Sequence, residues 1–265
     1  MEHIKSMSRL SKVFTSERNK VLSVFYTAGF PHLHDTVEIG KQLAKAGADI
    51  IEIGIPFSDP IADGPTIQAS NKVALDNGMN LTLLLEQVTS LRKQVEIPIL
   101  LMGYLNPVMQ YGWTHFLRDA AAAGVDGLIL PDLPLDEFEA DLKPQLEAAE
   151  LDMVFLITPT TPEARVRRID AASSGFVYAV SASSTTGAKT SFSEVQENYF
   201  KRIQEMQLHN PVLIGFGISN AATFHQACNY AQGAIVGSAF INLLSASDNL
   251  EADIKKFVSE IKSLV

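Results

Sequence analysis

Two carboxylates in the stretch GADIIEIGIPFSDPIADGP (47–65) carry the chemistry-bearing residue types of this chain. Period-2 alternation puts Ile51, Ile53 and Ile55 on one face of a strand and Ile50, Glu52 and Gly54 on the other. If both faces are buried, Glu52 points into an apolar interior beside a glycine that leaves space. A buried carboxyl without a countercharge stays protonated, with a raised pKa, and that is the property a general acid needs near neutral pH. A structural Glu would need an interior Lys or Arg, and none of the strand segments given below contains one. After Pro56 the chain leaves the strand in a loop with Ser58, Asp59, Asp63 and Gly64. Asp-Pro and Asp-Gly are also common turn chemistry, so Asp59 reads equally as a loop-stabilising residue. Asp63 is placed to hang over the same strand end as Glu52.

Two further turns suit an anion. Ile214-Gly215-Phe216-Gly217-Ile218-Ser219 and Val236-Gly237-Ser238 each pass from an apolar strand through Gly into a possible helix start. Gly permits close backbone approach there, and helix N-terminal N–H groups attract phosphate. The small, polar stretch SASSTTGAKT (181–190) reads as a lid, with Thr186 and Gly187 able to contribute to phosphate binding or closure. Other chemistries lack their signatures. GFGISN is missing the third Gly of a dinucleotide fingerprint, and there is no G-x-S-x-G nucleophile elbow. The six His residues show no metal-site spacing, and an imine-forming aldolase would need an interior Lys.

The elements that must position these residues alternate regularly. Short apolar runs at 22–26, 50–55, 99–102, 127–130, 153–157, 176–180, 212–215 and 234–236 are each followed by a helix-like stretch. Repeated β-then-α order implies parallel strands with right-handed crossovers, and eight units in 265 residues point to a closed (β/α)₈ barrel. Extra helices are expected at 6–16, where one would plug the barrel bottom, and at 65–77 and 81–95 between the second and third strands. Asp35 is expected to cap a helix that ends at Gly47, and 250–265 reads as a closing helix with Ile254, Phe257, Val258 and Ile261 on one face. No linker divides the chain, so 1–265 reads as one domain. The barrel's last two βα loops are where such folds hold phosphate, so the turns at 215–219 and 236–238 fall in the expected place.

Composition narrows the function class. Hydrophobic residues make up 46%, enough for a large core, while 21 basic against 30 acidic residues give a net charge of −9, which disfavours a nucleic-acid partner. The single Cys228 allows no internal disulfide, the start is too polar for a secretory signal, and the longest apolar run, 97–105, is too short for a membrane span. A cytoplasmic enzyme acting on a phosphate ester is expected.

The motifs FYTAGFP (25–31), EIGIPFSDPIADGPTIQ (52–68), MGYLNP (102–107), GVDGLILPDLP (124–134), YAVS (178–181), GFGIS (215–219) and VGSA (236–239) closely resemble the α subunit family of tryptophan synthase over nearly the whole chain. The resemblance implies a (β/α)₈ barrel that splits indole-3-glycerol phosphate into indole and glyceraldehyde 3-phosphate. It further implies an α2β2 assembly with a pyridoxal-phosphate β subunit that receives the indole, and no cofactor or metal in this chain. The family's catalytic pair falls on Glu52 and Asp63. Its substrate-binding positions fall on Phe25, Tyr104, Ile129, Tyr178, Thr186, Gly187, Phe216, Gly217, Gly237 and Ser238, and its loop-closure or partner positions on Pro56 and Asp59. In that chemistry a protonated Glu52 would deliver a proton to indole C3, and an ionised Asp63 would hold the indole N–H. Glu52 as carboxylate would then take the side-chain hydroxyl proton. One departure stands in the lid: the family's G-V-T-G is Ser184-Thr185-Thr186-Gly187 here, and Ser184 reaches positive φ less easily than Gly. Two alternatives stay open at this point: a non-catalytic binding subunit, and an indole-releasing lyase without a β partner. A phosphosugar isomerase on the same scaffold fits the loop at 59–64 less well.

Overall fold

The computed structural model describes residues 7–15, 20–181 and 192–263. Nine strands lie in one sheet: β1 (Val21–Thr27), β2 (Ile50–Gly54), β3 (Ile99–Met102), β4 (Gly127–Ile129), β5 (Asp152–Val154), β6 (Leu156–Ile157), β7 (Val177–Val180), β8 (Val212–Gly215) and β9 (Gly233–Val236). The order β5-β4-β3-β2-β1-β9-β8-β7-β6 is parallel throughout. Its two ends, β5 and β6, are consecutive in the chain with only Phe155 between them, so the chain itself closes the ring. This is the expected eight-unit barrel with its fifth strand in two pieces. Side-chain alternation continues across the break: Val154 and Leu156 face the interior cluster, while Phe155 turns outward and meets Phe138 edge-on at 5.0 Å. Only the pairing changes, from β4 before Phe155 to β7 after it.

The two strand faces sort as the alternation demands. Ile51, Ile53 and Ile55 belong to the large cluster between sheet and helices, whereas Ile50 joins Val21, Leu100, Ile129, Val154, Phe176, Tyr178, Leu213 and Ile235 in the interior. The interior is a packed core rather than a channel. Helices Pro65–Asp76 and Leu81–Arg92 both lie between β2 and β3, and Leu250–Lys262 closes the ring with Ile254, Phe257, Val258 and Ile261 buried. Asp35 is the first helical residue rather than the cap: His34 holds the cap position of Asp35–Ala46 without a side-chain bond, and Asp35 instead places its charge at the positive helix end. The helix ends at Gly47 in the left-handed region, φ 98°, where a glycine is least strained.

The N-terminal helix is shorter than expected, Arg9–Val13, because Ser8 caps it by accepting from Ser11 N–H. It sits under the barrel. Leu10 is fully buried in the interior cluster, the Ser8 hydroxyl donates to Asp152 at 2.8 Å, and Arg9 donates to Asp126 at 2.9 Å. A Cβ on Gly175 would stand 2.3 Å from a Leu10 methyl, so the glycine makes room for the plug. Replacing Leu10 by Ala leaves a hole at the base of the barrel and should cost about 2–5 kcal/mol. Chemical denaturation of the two proteins checks this as a lower midpoint at unchanged slope.

Candidate active site

Glu52 occupies the middle of β2 and is fully buried. Register sets its neighbours: Phe25 on β1 is its Cα partner, and Ser23, two residues earlier on the same face, reaches it from one layer below. The Ser23 hydroxyl donates to Glu52 Oε1 at 2.6 Å. The other oxygen, Oε2, has no hydrogen-bond partner among the described residues. Burial pushes the carboxyl up to about 7, with the Ser23 bond pulling the other way. A carboxyl with this balance can be neutral at rest and still lose its proton at modest cost.

Two aromatic rings on the strands of this interior stand where glycines, Gly54 and Gly215, give them space. Phe25 is half-buried, and a Cβ on Gly54 would stand 2.6 Å from its ring tip, with the Cβ position of Gly237 at 3.7 Å from its edge. A Cβ on Gly215 would stand 2.2 Å from the Tyr178 hydroxyl. Tyr178 points into the interior from β7, and burial raises its phenol well above the ordinary range, followed by the fields of Glu52 and Asp63. Ile129, fully buried on β4, belongs to the same interior cluster.

Asp63 comes from the loop after β2 and is half-buried. The Tyr104 hydroxyl, from the loop after β3, donates to Asp63 Oδ2 at 3.2 Å and accepts from Ala62 N–H at 3.1 Å. Burial raises the Asp63 carboxyl above its usual range, while the Tyr104 bond favours its ionised form. Tyr104 is itself pushed up to about 12, chiefly by burial and then by the Asp63 charge. Its ring lies against Phe57 at 5.0 Å, and Asn71 accepts from Phe57 N–H at 3.2 Å, so both arms of the loop are anchored. Pro56 is buried at the base, Asp59 is exposed, and Ile61 projects from the tip with 89% of its surface exposed.

The turn after β8 is strained. Phe216 holds φ 66° and Gly217 φ 79°. The left-handed region is unusual for a bulky side chain. The Ser181 hydroxyl donates to the Phe216 carbonyl at 2.5 Å, tying the end of β7 to this turn, and the Phe216 ring meets Tyr178 edge-on at 6.3 Å. After β9, Gly237 is the cap residue of helix Ser238–Ala246 without any side-chain cap, so the first turn offers N–H groups at the same barrel end. Thr186 and Gly187 lie outside the described residues. Among those described, no three His, Cys, Asp or Glu gather as a metal would require. A groove of about 410 Å³ between helices Pro65–Asp76 and Ser238–Ala246, lined by Phe30, Val73, Ile241 and Asn242 among others, contains none of these site residues.

The structure places Glu52, Ile129 and Tyr178 in the barrel interior and Phe25, Asp63, Tyr104, Phe216, Gly217, Gly237 and Ser238 toward one end of the barrel. Ser23 was not singled out from the sequence, and Ser181 entered only as the first residue of the 181–190 stretch and the last of the YAVS motif. A polar residue two positions before Phe25 in a buried strand was the available signal for Ser23.

Comparison with known proteins decides what family this geometry serves. The family model described as tryptophan synthase alpha chain matches residues 11–264. The chain belongs to the tryptophan synthase alpha chain family. It is 51% identical over 255 residues to the alpha chain of Flavobacterium psychrophilum, covering 96% of this chain and all of that one. The alpha chain of Parabacteroides distasonis is 48% identical, covering 97% and 100%. Among solved structures, Mycobacterium tuberculosis tryptophan synthase superposes with a TM-score of 0.86 at 35% identity, over 96% of each chain. The tryptophan synthase alpha subunit of Legionella pneumophila gives 0.86 at 33%, over 97% of each. The family's known role is cleavage of indole-3-glycerol phosphate, a lyase reaction, and membership implies a β-subunit partner. No helix among the described residues is long and apolar enough to cross a membrane.

The raised carboxyl has a consequence for stability. An acid whose folded pKa lies above its unfolded value favours folding below the unfolded pKa, and that contribution is lost as pH rises through the folded pKa. For Glu52 the window runs from 4.5 to about 7. Glu52→Gln should therefore be more stable than the parent above neutrality, by on the order of 3 kcal/mol, with the gain vanishing near pH 4. Urea denaturation at pH 4, 6 and 8 measures it.

Proposed function

We propose that this chain cleaves indole-3-glycerol phosphate by a retro-aldol reaction run by two carboxylates, with no cofactor of its own. The observation that carries the reading is a fully buried Glu52 whose Oε2 has no hydrogen-bond partner among the described residues and whose carboxyl is pushed up to about 7. Protonated Glu52 gives its proton to indole C3, which turns the ring into an electron sink. Asp63, held by Tyr104, accepts the indole N1–H bond and stabilises the positive charge that develops. Glu52 as carboxylate then takes the proton of the side-chain hydroxyl next to the ring. The C–O bond becomes a carbonyl, the bond to C3 breaks, and its electron pair returns to indole. Glu52 ends protonated, ready for another turnover.

Phe25, Ile129, Tyr178 and Phe216 form the apolar walls for the indole ring in this reading. Gly217, Gly237 and Ser238 hold the phosphate with backbone N–H groups, joined by Thr186 and Gly187 of the lid. Pro56 and Asp59 shape the loop that answers to a β subunit, and the exposed Ile61 at its tip supports that role. The assembly is an α2β2 heterotetramer in the cytoplasm, with pyridoxal phosphate only in the β partner, which consumes the indole. The lid departure at Ser184-Thr185 bears on closure and on communication with the partner rather than on the barrel chemistry.

General acid–base groups contribute factors of roughly 10²–10⁴ each, so Glu52→Gln should lower indole release by at least that much in a folded protein, and Asp63→Asn by a similar or smaller factor. Indole release by the purified chain, alone and with a tryptophan synthase β subunit added, is the measurement. Slow release that rises sharply with the partner supports both parts of the reading. Fast release without it favours a free-standing lyase, and undiminished activity in Glu52→Gln overturns the acid–base assignment.

A further inference from the structure

We infer that Ser23 is a positioning residue for the acid–base step: its hydroxyl engages Glu52 Oε1 and leaves Oε2 as the single oxygen that both gives and takes the proton. The inference rests on the proposed acid–base role of Glu52. It starts from geometry. Ser23 and Glu52 are both fully buried, their strands are adjacent and parallel, and the bond between them is 2.6 Å long. The carboxyl is unsymmetrical as a result. One oxygen faces a fixed donor one layer down the barrel, and the other has no partner among the described residues.

The chemistry requires such a division. In the acid form Oε1 is the carbonyl oxygen that accepts from Ser23, and the proton resides on Oε2. In the carboxylate form the same Ser23 bond stabilises Oε1, so Oε2 remains the base. A serine hydroxyl can also accept, but Ser23 has no other hydrogen-bond acceptor among the described residues, so donating to Oε1 keeps its own proton bonded in both states. The carboxyl therefore need not rotate between protonating indole C3 and accepting the hydroxyl proton. Without Ser23 either oxygen can hold the proton, and the carboxylate loses its only described hydrogen bond.

Little else near Glu52 could do this work. The strand segments contain no Lys, Arg or His. Their other titratable side chains are three. Tyr26 points outward and donates to the Thr36 carbonyl, and Asp152 receives the Ser8 hydroxyl at the barrel foot. Tyr178 stands in the interior on β7 and Asp63 on the loop after β2, and the fields of Glu52 and Asp63 both raise the Tyr178 phenol. Tyr178 and Asp63 act on Glu52 at most through their fields, whereas Ser23 donates to it directly.

The test is the pH profile of indole release from indole-3-glycerol phosphate in Ser23→Ala, Ser23→Cys and Ser23→Thr, each checked for folding by circular dichroism and thermal melting. A hydrogen bond to a charged group corresponds to roughly one pKa unit or more, so Ser23→Ala should shift the Glu52 limb alkaline by about that much. The weaker acid and the less stabilised carboxylate formed within the turnover should lower kcat more than they change KM. Ser23→Thr, which keeps the hydroxyl, should restore the parent profile, and Ser23→Cys, a weaker donor, should fall between. The same shift should appear in the pH dependence of unfolding when each variant is compared with its own Glu52→Gln version. An unchanged profile and unchanged unfolding in folded Ser23→Ala, with Glu52→Gln inactive, overturns the role of Ser23 alone. A shift in unfolding with no shift in indole release overturns the proposal through Glu52, whose acid–base role would then be wrong.

Discussion

A carboxyl group enclosed by apolar strands, with one serine hydroxyl as its hydrogen-bond donor, is the constraint on which the rest of this barrel depends. Removing a carboxylate from water without a countercharge costs several kcal/mol, and proteins ordinarily avoid it by pairing the charge. Here the strands supply no cation, so the group relieves the penalty by holding its proton up to about 7. The Ser23 bond keeps the cost of losing that proton moderate. An acid that is too comfortable in its neutral form would never return as a base, and one paired with Lys or Arg would never hold a proton near neutrality. The interior sits between those limits.

Packing around this group follows from what it must face. Gly54 and Gly215 lie where a Cβ would collide with the rings of Phe25 and Tyr178. Those rings share the interior with the fully buried carboxyl and present flat walls suited to an aromatic guest. The barrel bottom is sealed by Leu10, so the site opens at one end. At that end the second carboxylate is delivered by a loop rather than a strand. Tyr104 fixes it by bonding both Asp63 and the Ala62 amide. Two carboxyls in unlike settings result, one enclosed and one at the mouth, which suits them to opposite tasks in one reaction.

Much of this was legible in the sequence because strand alternation is rigid. Once 50–55 is a strand, Ile51 and Ile53 pointing outward forces Glu52 inward. The eight β-then-α units likewise left little choice of architecture. The split of the fifth strand at Phe155 escaped notice because side-chain alternation is unbroken there and only the pairing partner changes. Asp35 was misjudged by one position, a difference set by backbone geometry at His34. Ser23 and the bond from Ser181 to the Phe216 turn were missed for a deeper reason. Each acts on a residue far away in the chain, and only inter-strand register or a turn's closure brings them together. The Tyr104–Asp63 bond is of the same kind, since it joins two loops.

The most direct measurement is the ionisation of Glu52 itself. Infrared spectra of the purified chain in D₂O, recorded from pD 4 to 9 against Glu52→Gln, isolate the C=O stretch of its protonated carboxyl. That band should persist through the range where ordinary carboxyls have ionised and disappear with a midpoint near 7, alongside the fall of indole release as pH rises. A midpoint at the usual glutamate value, or no band unique to Glu52, would contradict it.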